Sequence, residues 1–257
     1  MLENILIIVE KCSLISKELQ KYRINPEMFD ADNTLLISDN NDIIQKGRQA
    51  GIACIGVESR GRINDADYVA ERLENIDSAY AELVYSRHHR LPLTIAETDR
   101  LLIREITEQD VKELYKVYED PDITRYMEGL YEYEEELEFT RHYIDNMYRF
   151  YGYGLWVVFE KNSNVLIGRA GISNRMVDGT EYPELGYVIR KEYQRKGYAY
   201  EACEAVLTYA GNQLEMEEIL VCTHKENLPS IHLAVKLGFH YCCEADENML
   251  IYRKQIV

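Results

Sequence analysis

Apolar positions follow two rhythms along this chain, one in each half. In the first half, uninterrupted apolar runs alternate with segments of helical spacing. Ile5–Val9 is a continuous run of the kind that forms a strand buried on both faces. Ser13 can cap a helix over Leu14–Tyr22. Thr34–Ser38 predicts a second strand, Asn41–Ala50 a helix closed by Gly51, and Ile52–Val57 a third strand. Tyr68–Ala70 predicts a short fourth strand, and a helix is expected after Asp77. Strand-helix alternation of this kind predicts a small parallel, Rossmann-like α/β unit with three layers.

The second half changes character after Ser86–Glu97, where Pro92 and a charged cluster predict a linker. Arg100–Arg104 alternates as a strand. Thr107 and Asp110 stand at capping-box spacing before a helix over Val111–Tyr118, which Asp120-Pro121 stops. One helix is expected from Glu134 to Arg149. Leu155–Lys161 and Val165–Ser173 predict a hairpin about Asn162-Ser-Asn, and Gly179-Thr-Glu-Tyr-Pro183 a further turn. A strand Glu184–Ile189, a helix Tyr200–Leu214, a strand Glu218–Thr223, a helix from Asn227 to Leu237 ended by Gly238, and a hairpin over His240–Lys254 complete the reading. The expected organisation is therefore two α/β domains, residues 1–90 and 98–257, the second with a mixed sheet.

Composition narrows the function. Apolar residues make up 46% of the 257 positions, enough for two cores, and charged residues 29%. The net charge of −16 argues against a nucleic-acid backbone as the main partner. The acidity is uneven: residues 1–95 carry 15 acids against 11 bases, the remainder 30 against 18. The N-terminus lacks the basic, apolar pattern of a secretory signal, and no apolar run reaches membrane-spanning length, so a cytoplasmic protein without membrane contact is expected. Cys12, Cys54, Cys203, Cys222, Cys242 and Cys243 form no C-x-x-C pair and keep no histidine at metal-ligand spacing, so reduced thiols and no metal site are expected. His88, His89, His142, His224, His232 and His240 are scattered and take no assigned role.

The most specific chemistry lies where Glu184-Leu-Gly-Tyr-Val-Ile189 runs into Gln194-Arg-Lys-Gly-Tyr-Ala199 and a helix follows at once. Free first-turn N–H groups and the positive helix end make such a loop an anion cradle. Arg195 and Lys196 add charge, and Gly197 lets the backbone approach a phosphate. A dinucleotide site of the Rossmann type is disfavoured, because no full G-x-G-x-x-G occurs.

The first half resembles the C-terminal portion of a haloacid-dehalogenase-like (HAD) domain. The resemblance rests on Leu35-Leu-Ile-Ser-Asp-Asn-Asn-Asp42, Lys46-Gly-Arg-Gln-Ala-Gly-Ile52, Ile55-Gly-Val57 and Ala66-Asp-Tyr-Val69. It implies that Asp39 and Asp42 correspond to the family's Mg²⁺-holding acids. Phe29-Asp-Ala-Asp-Asn-Thr-Leu35 spells the nucleophile motif D-x-D-x-T, but no buried strand precedes it, so Asp30 and Asp32 read as a polar turn and cap. The expectation is a degenerate phosphatase-like domain without chemistry.

The second half resembles the GNAT superfamily of N-acetyltransferases, in the branch that acetylates ribosomal-protein N-termini and certain small amines. Three segments carry this: Leu166-Ile-Gly-Arg-Ala-Gly171, the Glu184-to-Ala202 strand and loop, and Asn227-Leu-Pro-Ser-Ile with Lys236-Leu-Gly-Phe239. The resemblance implies acetyl-CoA as donor. It places the pyrophosphate on loop amides from Gln194 and Arg195 through Lys196, Gly197 and Tyr198 to Ala199, and the pantetheine arm against the backbone of Tyr187, Val188 and Ile189. It also implies that Asn227 bonds that arm and that Ser230 lies near it.

Acetyl transfer needs a neutral amine, hence a base, and a donor for the oxyanion. Glu184, at the start of the implied parted strand, is the candidate base, acting through water, and an amide near Val188 the candidate donor; the bland alternative for Glu184 is a solvent-facing acid. Relatives often carry a tyrosine in the last helix as proton donor to the thiol. That position is Ala234 here, which leaves Tyr241 or Ser230, and a thiol of ordinary pKa near ~8.5 also makes a dedicated acid dispensable. Tyr126, Tyr131, Tyr133, Tyr143, Tyr148, Tyr151 and Tyr153 crowd a segment rich in Glu128, Glu132, Glu134, Glu135, Glu136 and Glu138. This is either an acidic aromatic slot for a cationic small-molecule or peptide amine, or a solvated helix face over packed tyrosines. Two other functions fit less of the chain: a non-catalytic acyl-CoA sensor or scaffold, and a bifunctional protein whose first half still removes phosphate.

Overall fold

A computed structural model describes residues 1–9, 30–245 and 248–256. The expected Ser13-capped helix at Leu14–Tyr22 lies outside the described residues. The chain divides into two compact units, Met1–Leu93 and Thr94–Val257.

The first unit is a four-stranded parallel sheet in sequential order, with strands β1 (Asn4–Ile8), β2 (Thr34–Ser38), β3 (Ala53–Val57) and β4 (Tyr68–Ala70). Every residue of β2 and β3 is buried, the continuous-run signature of a strand covered on both faces. Alternate positions feed two cores. Ile5, Leu35, Ile37, Ala53 and Ile55 pack with Ala81, Val84 and Tyr85 of helix α2 (Ser78–His88). Leu6, Leu36 and Cys54 pack with Ile44 of helix α1 (Asn41–Gln49) on the opposite face. The caps follow from side-chain chemistry. Asn40 accepts from Asp42 N–H and Ile43 N–H at the start of α1, and Asp77 accepts from Tyr80 N–H at the start of α2. Asp30 likewise accepts from Asp32 N–H at 3.1 Å ahead of a single turn over Ala31–Asn33, so it serves as a cap. Asp39 is buried at the end of β2, 3.4 Å from the Ser59 hydroxyl, and Asp42 is exposed in the first turn of α1.

The second unit is an eight-stranded mixed sheet. Its strands are β5 (Thr94–Glu97), β6 (Leu101–Arg104), β7 (Leu155–Glu160), β8 (Val165–Val177), β9 (Thr180–Ile189), β10 (Glu218–His224), β11 (His240–Ala245) and β12 (Met249–Gln255). Their spatial order is β11-β12-β10-β9-β8-β7-β6-β5, and only β9 and β10 run parallel. The helices are α3 (Val111–Tyr118), α4 (Tyr133–Tyr143), α5 (Tyr198–Asn212) and α6 (Leu228–Lys236). The Thr107–Asp110 capping box forms ahead of α3, with Arg104 paired to Asp110 at 2.7 Å. Trp156 is fully buried against Tyr209 of α5.

Several expectations shift. The Ser86–Glu97 linker is no free connection: Ser86–His88 finish α2, and Thr94–Glu97 pair with β6 as β5. The expected helix over Glu134–Arg149 is two segments, α4 and then a wider helix over Ile144–Tyr151 with i→i+5 bonds, ended by Gly152 at φ +79°. The turn before β9 is the two-residue Asp178-Gly179, both at positive φ (+50° and +79°), with Val177 paired to Thr180. That is the mirror-image turn matching the strand twist, so β9 begins at Thr180 and contains Pro183. Helix α5 begins two residues early, directly after Gly197.

Candidate active site

Strands β9 and β10 touch at one place and then part. Their register pairs Leu220 with Glu184 and pairs no residue from Leu185 to Ile189 with β10. On its other side β9 stays paired to β8 throughout, from Val177↔Thr180 to Gly168↔Ile189. Residues of an antiparallel pair alternate between exchanging hydrogen bonds and facing away. Arg190 N–H donates to Ile167 O at 2.7 Å, which turns Val188, Gly186 and Glu184 toward β8 and leaves Tyr187 and Ile189 facing the gap. The main chain of Val188 is thus spent on the sheet, and the gap-facing amides are those of Tyr187 and Ile189. This alters the expectation for Val188: it presents no amide to a ligand between the strands.

The gap leads to the loop before α5. Gln194 Nε2 donates to Ile189 O at 2.9 Å, so Gln194 fixes the loop to the strand end. Arg195 and Gly197 sit at φ +60° and +86°. Successive N–H groups in turn conformations of this kind form an anion-binding concavity. Gly197 caps α5 without any side-chain bond, and the first intrahelical bond runs from Glu201 N–H to Gly197 O. The N–H groups of Tyr198, Ala199 and Tyr200 precede that bond and point out of the helix start. Arg195, Lys196 and Gly197 are exposed. The loop is braced from behind by Arg100, whose Nη1 donates to Lys196 O at 3.0 Å, whose Nε donates to Glu201 at 2.6 Å, and whose guanidinium lies 4.4 Å from the Tyr198 ring centroid. Arg100→Ala is expected to weaken acetyl-CoA binding about three- to tenfold, up to ~1.4 kcal/mol, by loosening the cradle without removing a donor from it. Titration calorimetry checks this, and an unchanged constant removes Arg100 from the brace.

Glu184 stands where the strands separate. Its side chain is 16% exposed, with Arg175 Nη1 at 4.0 Å. Burial raises its pKa above the ordinary carboxylate range, opposed by the positive charge of Arg175 and by hydrogen bonds from the thiol and main chain of Cys222. Register accounts for the grouping: Glu184 pairs with Ser173 and Leu220, so Arg175 and Cys222, two residues further along β8 and β10, share its face. Neither Arg175 nor Cys222 was singled out as a neighbour of Glu184 from sequence. They lie nine and thirty-eight positions away, and only strand register joins them. The Cys222 thiol is pushed up to about 12, first by burial and then by the Glu184 charge.

On the opposite face Tyr187 Oη lies 2.8 Å from Ser230 Oγ. Asn227 caps α6 by accepting from Ser230 N–H through its carbonyl oxygen, a bond that does not use its amide NH₂. The structure thus sets Glu184 on one face of the parted edge and Tyr187, Ser230 and Asn227 on the other, with Ile189 tied to the Gln194–Ala199 loop at its end. It does not bring Tyr241 to this edge. That residue is 57% exposed on the outer strand β11, packed on Tyr252, with β12 and β10 between it and β9. Three strand spacings of ~4.8 Å put it roughly 14 Å from β9, too far for proton transfer at the gap.

The tyrosine-rich segment divides. Tyr143 and Tyr148 pack edge to face at 5.5 Å, with Tyr148 buried and donating to Leu155 O. Tyr131, Tyr133 and Tyr151 are exposed. Glu136 is buried and accepts from Tyr131 N–H at 3.1 Å, so it clamps a loop, while Glu128, Glu132, Glu134, Glu135 and Glu138 remain exposed. Tyr126 stacks on His224, the last residue of β10, at 5.2 Å.

The site is thus a mixed sheet with one parted parallel pair, opening onto a helix start whose first amides have no side-chain cap. Residues 100–240 match the family described as acetyltransferase (GNAT) domain, and the chain belongs to that family. Among curated proteins it is 31% identical over 143 residues to the uncharacterized N-acetyltransferase YnaD of Bacillus subtilis, covering 55% of this chain and 79% of that one. It is 29% identical over 145 residues to the uncharacterized protein YkkB of the same organism, 56% of this chain and 84% of that one. Among solved structures, a GNAT-family acetyltransferase from Bacillus anthracis superposes with TM-score 0.52 at 25% identity, covering 62% of this chain and 97% of that one. The fold is shared with the ribosomal L7/L12 α-N-protein acetyltransferase in complex with coenzyme A, at TM-score 0.55 and 15% identity, over 63% of this chain and 98% of that one. The protein is an N-acetyltransferase, and acetyl-CoA is the family's donor.

Proposed function

We propose that the second unit acetylates a primary amine by direct attack, with donor and acceptor held together in one complex. The observation that carries this is the unpaired edge of β9 at Tyr187 and Ile189, running from Glu184 to the open start of α5. Amides from Arg195 to Ala199 are suited to the coenzyme's diphosphate, and the side chains of Arg195 and Lys196 add opposite charge. The gap-facing groups of Tyr187 and Ile189 can bond the pantetheine arm as a neighbouring strand does, and the amide NH₂ of Asn227 can bond it from α6. Bound there, acetyl-CoA supplies an activated acetyl thioester. Glu184 takes the proton of the attacking amine through water, which its raised pKa favours. Tyr187 and Ile189 supply the main-chain donors available to a developing oxyanion. Ser230, joined to Tyr187 Oη, is the hydroxyl placed to protonate the departing thiol.

The acceptor in this reading is a cationic amine. Exposed Glu132, Glu134, Glu135 and Glu138 stand among exposed Tyr131, Tyr133 and Phe139, a surface that attracts ammonium groups. Because structural neighbours include acetyltransferases named for ribosomal proteins, a peptide N-terminus is the first acceptor to try. The test is thiol release from acetyl-CoA with a panel of N-terminal peptides, polyamines and aminoglycosides. Release matched by acetylated product is expected. Binding of acetyl-CoA with no release from any amine would favour a sensor or scaffold.

The first unit we read as a degenerate HAD-like domain without catalysis. A parallel sheet covered on both faces supports this, as does the use of Asp30 as a turn cap. No Mg²⁺-dependent phosphate release from a generic phosphate ester is expected. Release that disappears in Asp39→Asn would restore the bifunctional reading.

A further inference from the structure

Neighbouring residues of a regular strand point to opposite faces, so two adjacent cysteines ordinarily cannot act together. Cys242 and Cys243 are an exception. The β11–β12 register passes from Tyr241↔Tyr252 to Cys243↔Ile251, so Cys242 is the extra residue of a bulge. A bulge sets two residues against one and re-aims their side chains. Burial, and then the neighbouring Cys242 thiol, raise the Cys243 thiol above its ordinary value. Both residues are exposed, and β11 is an outer strand of the sheet. The Asp178 charge raises the Cys243 thiol further and that of Arg253 lowers it.

The other described cysteines are unlike these. Cys54 and Cys203 are buried, and burial raises both thiols, Cys54 to about 12. Cys222 is half-buried beside Glu184. Only the β11 pair, among the described residues, offers two accessible sulfurs to one ligand.

We propose that Cys242 and Cys243 form a dithiol site for soft, thiophilic ligands, with monosubstituted trivalent arsenicals as the chemical class it takes. In this step two As–S bonds form and the As=O bond breaks. Both thiol protons leave with the oxygen as water, and arsenic keeps its oxidation state, so no oxidant or reductant is needed. Soft ligands select sulfur donors. The second sulfur, carried by the next residue of the same bulge, binds at a high effective concentration that a lone thiol lacks. The site is independent of the acetyl-transfer reading, because β12 and β10 separate it from the gap.

The experiment treats the full-length protein with one equivalent of phenylarsine oxide and reads intact mass. One adduct is expected, stable to excess glutathione and released by a 1,2-dithiol. In Cys242→Ser or Cys243→Ser the glutathione-resistant adduct is lost, while thermal unfolding and acetyl-CoA affinity stay as in the wild type; Cys222→Ser keeps the adduct. For the wild type alone, arsenical treatment followed by alkylation and peptide mapping should leave the Cys242-Cys243 peptide unalkylated. An adduct that glutathione strips, one that persists without both cysteines, or a Cys242-Cys243 peptide that alkylates fully would overturn the proposal.

Discussion

Gly197→Glu is expected to raise the dissociation constant for acetyl-CoA about 100-fold, or ~2.8 kcal/mol at 1.4 kcal/mol per tenfold. Two effects add. Gly197 sits at φ +86°, where any residue with a Cβ is strained by roughly 1–2 kcal/mol. The larger effect is electrostatic. The loop leaves the first amides of α5 for an anion, worth up to ~2 kcal/mol in a partly buried site, and a carboxylate there occupies and neutralises that field. Gly197→Ala separates the two, since it carries the strain without the charge and should cost about tenfold or less. The space argument agrees: a Cβ at Gly197 meets only Arg100 Nη2, at 3.4 Å, the far end of a long side chain. Calorimetry on both variants decides it. Equal affinity for wild type and Gly197→Glu would take the diphosphate away from this loop.

The parts of this protein legible in its sequence are those whose signal is local. The buried runs at Thr34–Ser38 and Ile52–Val57 identify parallel strands because only a strand covered on both faces tolerates such a run. The loop at Gln194–Ala199 is legible because glycine, basic residues and a helix start are contiguous. What register decides is not legible. That Val188 turns its amide into the sheet while Tyr187 and Ile189 turn theirs outward depends on which β8 residue faces which β9 residue. The Asp178-Gly179 turn sets that pairing, and reading the turn as the longer Gly179–Pro183 segment shifts β9 by several residues. Tyr241 failed for the same reason. It is a chemically suitable residue near the Ser230 helix in sequence, but β11 is added at the sheet edge beyond β12. The bulge that joins Cys242 to Cys243 has no sequence signature at all.

Glu184→Gln should lower turnover about 100-fold or more, within the ~10²–10⁴ that a positioned base contributes, and change the acetyl-CoA constant less than about threefold. The variant keeps the size and most hydrogen-bonding capacity of the side chain that meets Cys222 at the parting of β9 and β10, so the gap keeps its shape. What it loses is the ability to take a proton. The pH dependence distinguishes this from a structural effect. Only the carboxylate can act as base, and burial raises its pKa, so wild-type turnover should climb as pH rises through a value above the ordinary glutamate range. In Glu184→Gln that limb should vanish, leaving only the titration of the acceptor amine. The same shift has a stability consequence of definite sign. A carboxyl group whose folded pKa is raised binds its proton more readily in the folded state than in the unfolded one. Its contribution is therefore fully favourable below the unfolded pKa and is lost as pH rises through the folded value. At neutral pH Glu184 is a burden on the fold that Arg175 and Cys222 only partly offset, the pattern expected where a buried charge is retained for chemistry. Thermal unfolding of wild type and variant across pH should diverge in that window, with the variant relatively more stable at the alkaline end. A variant that keeps its turnover and its rising limb would move the base to another residue and leave Glu184 as a strand-parting wedge.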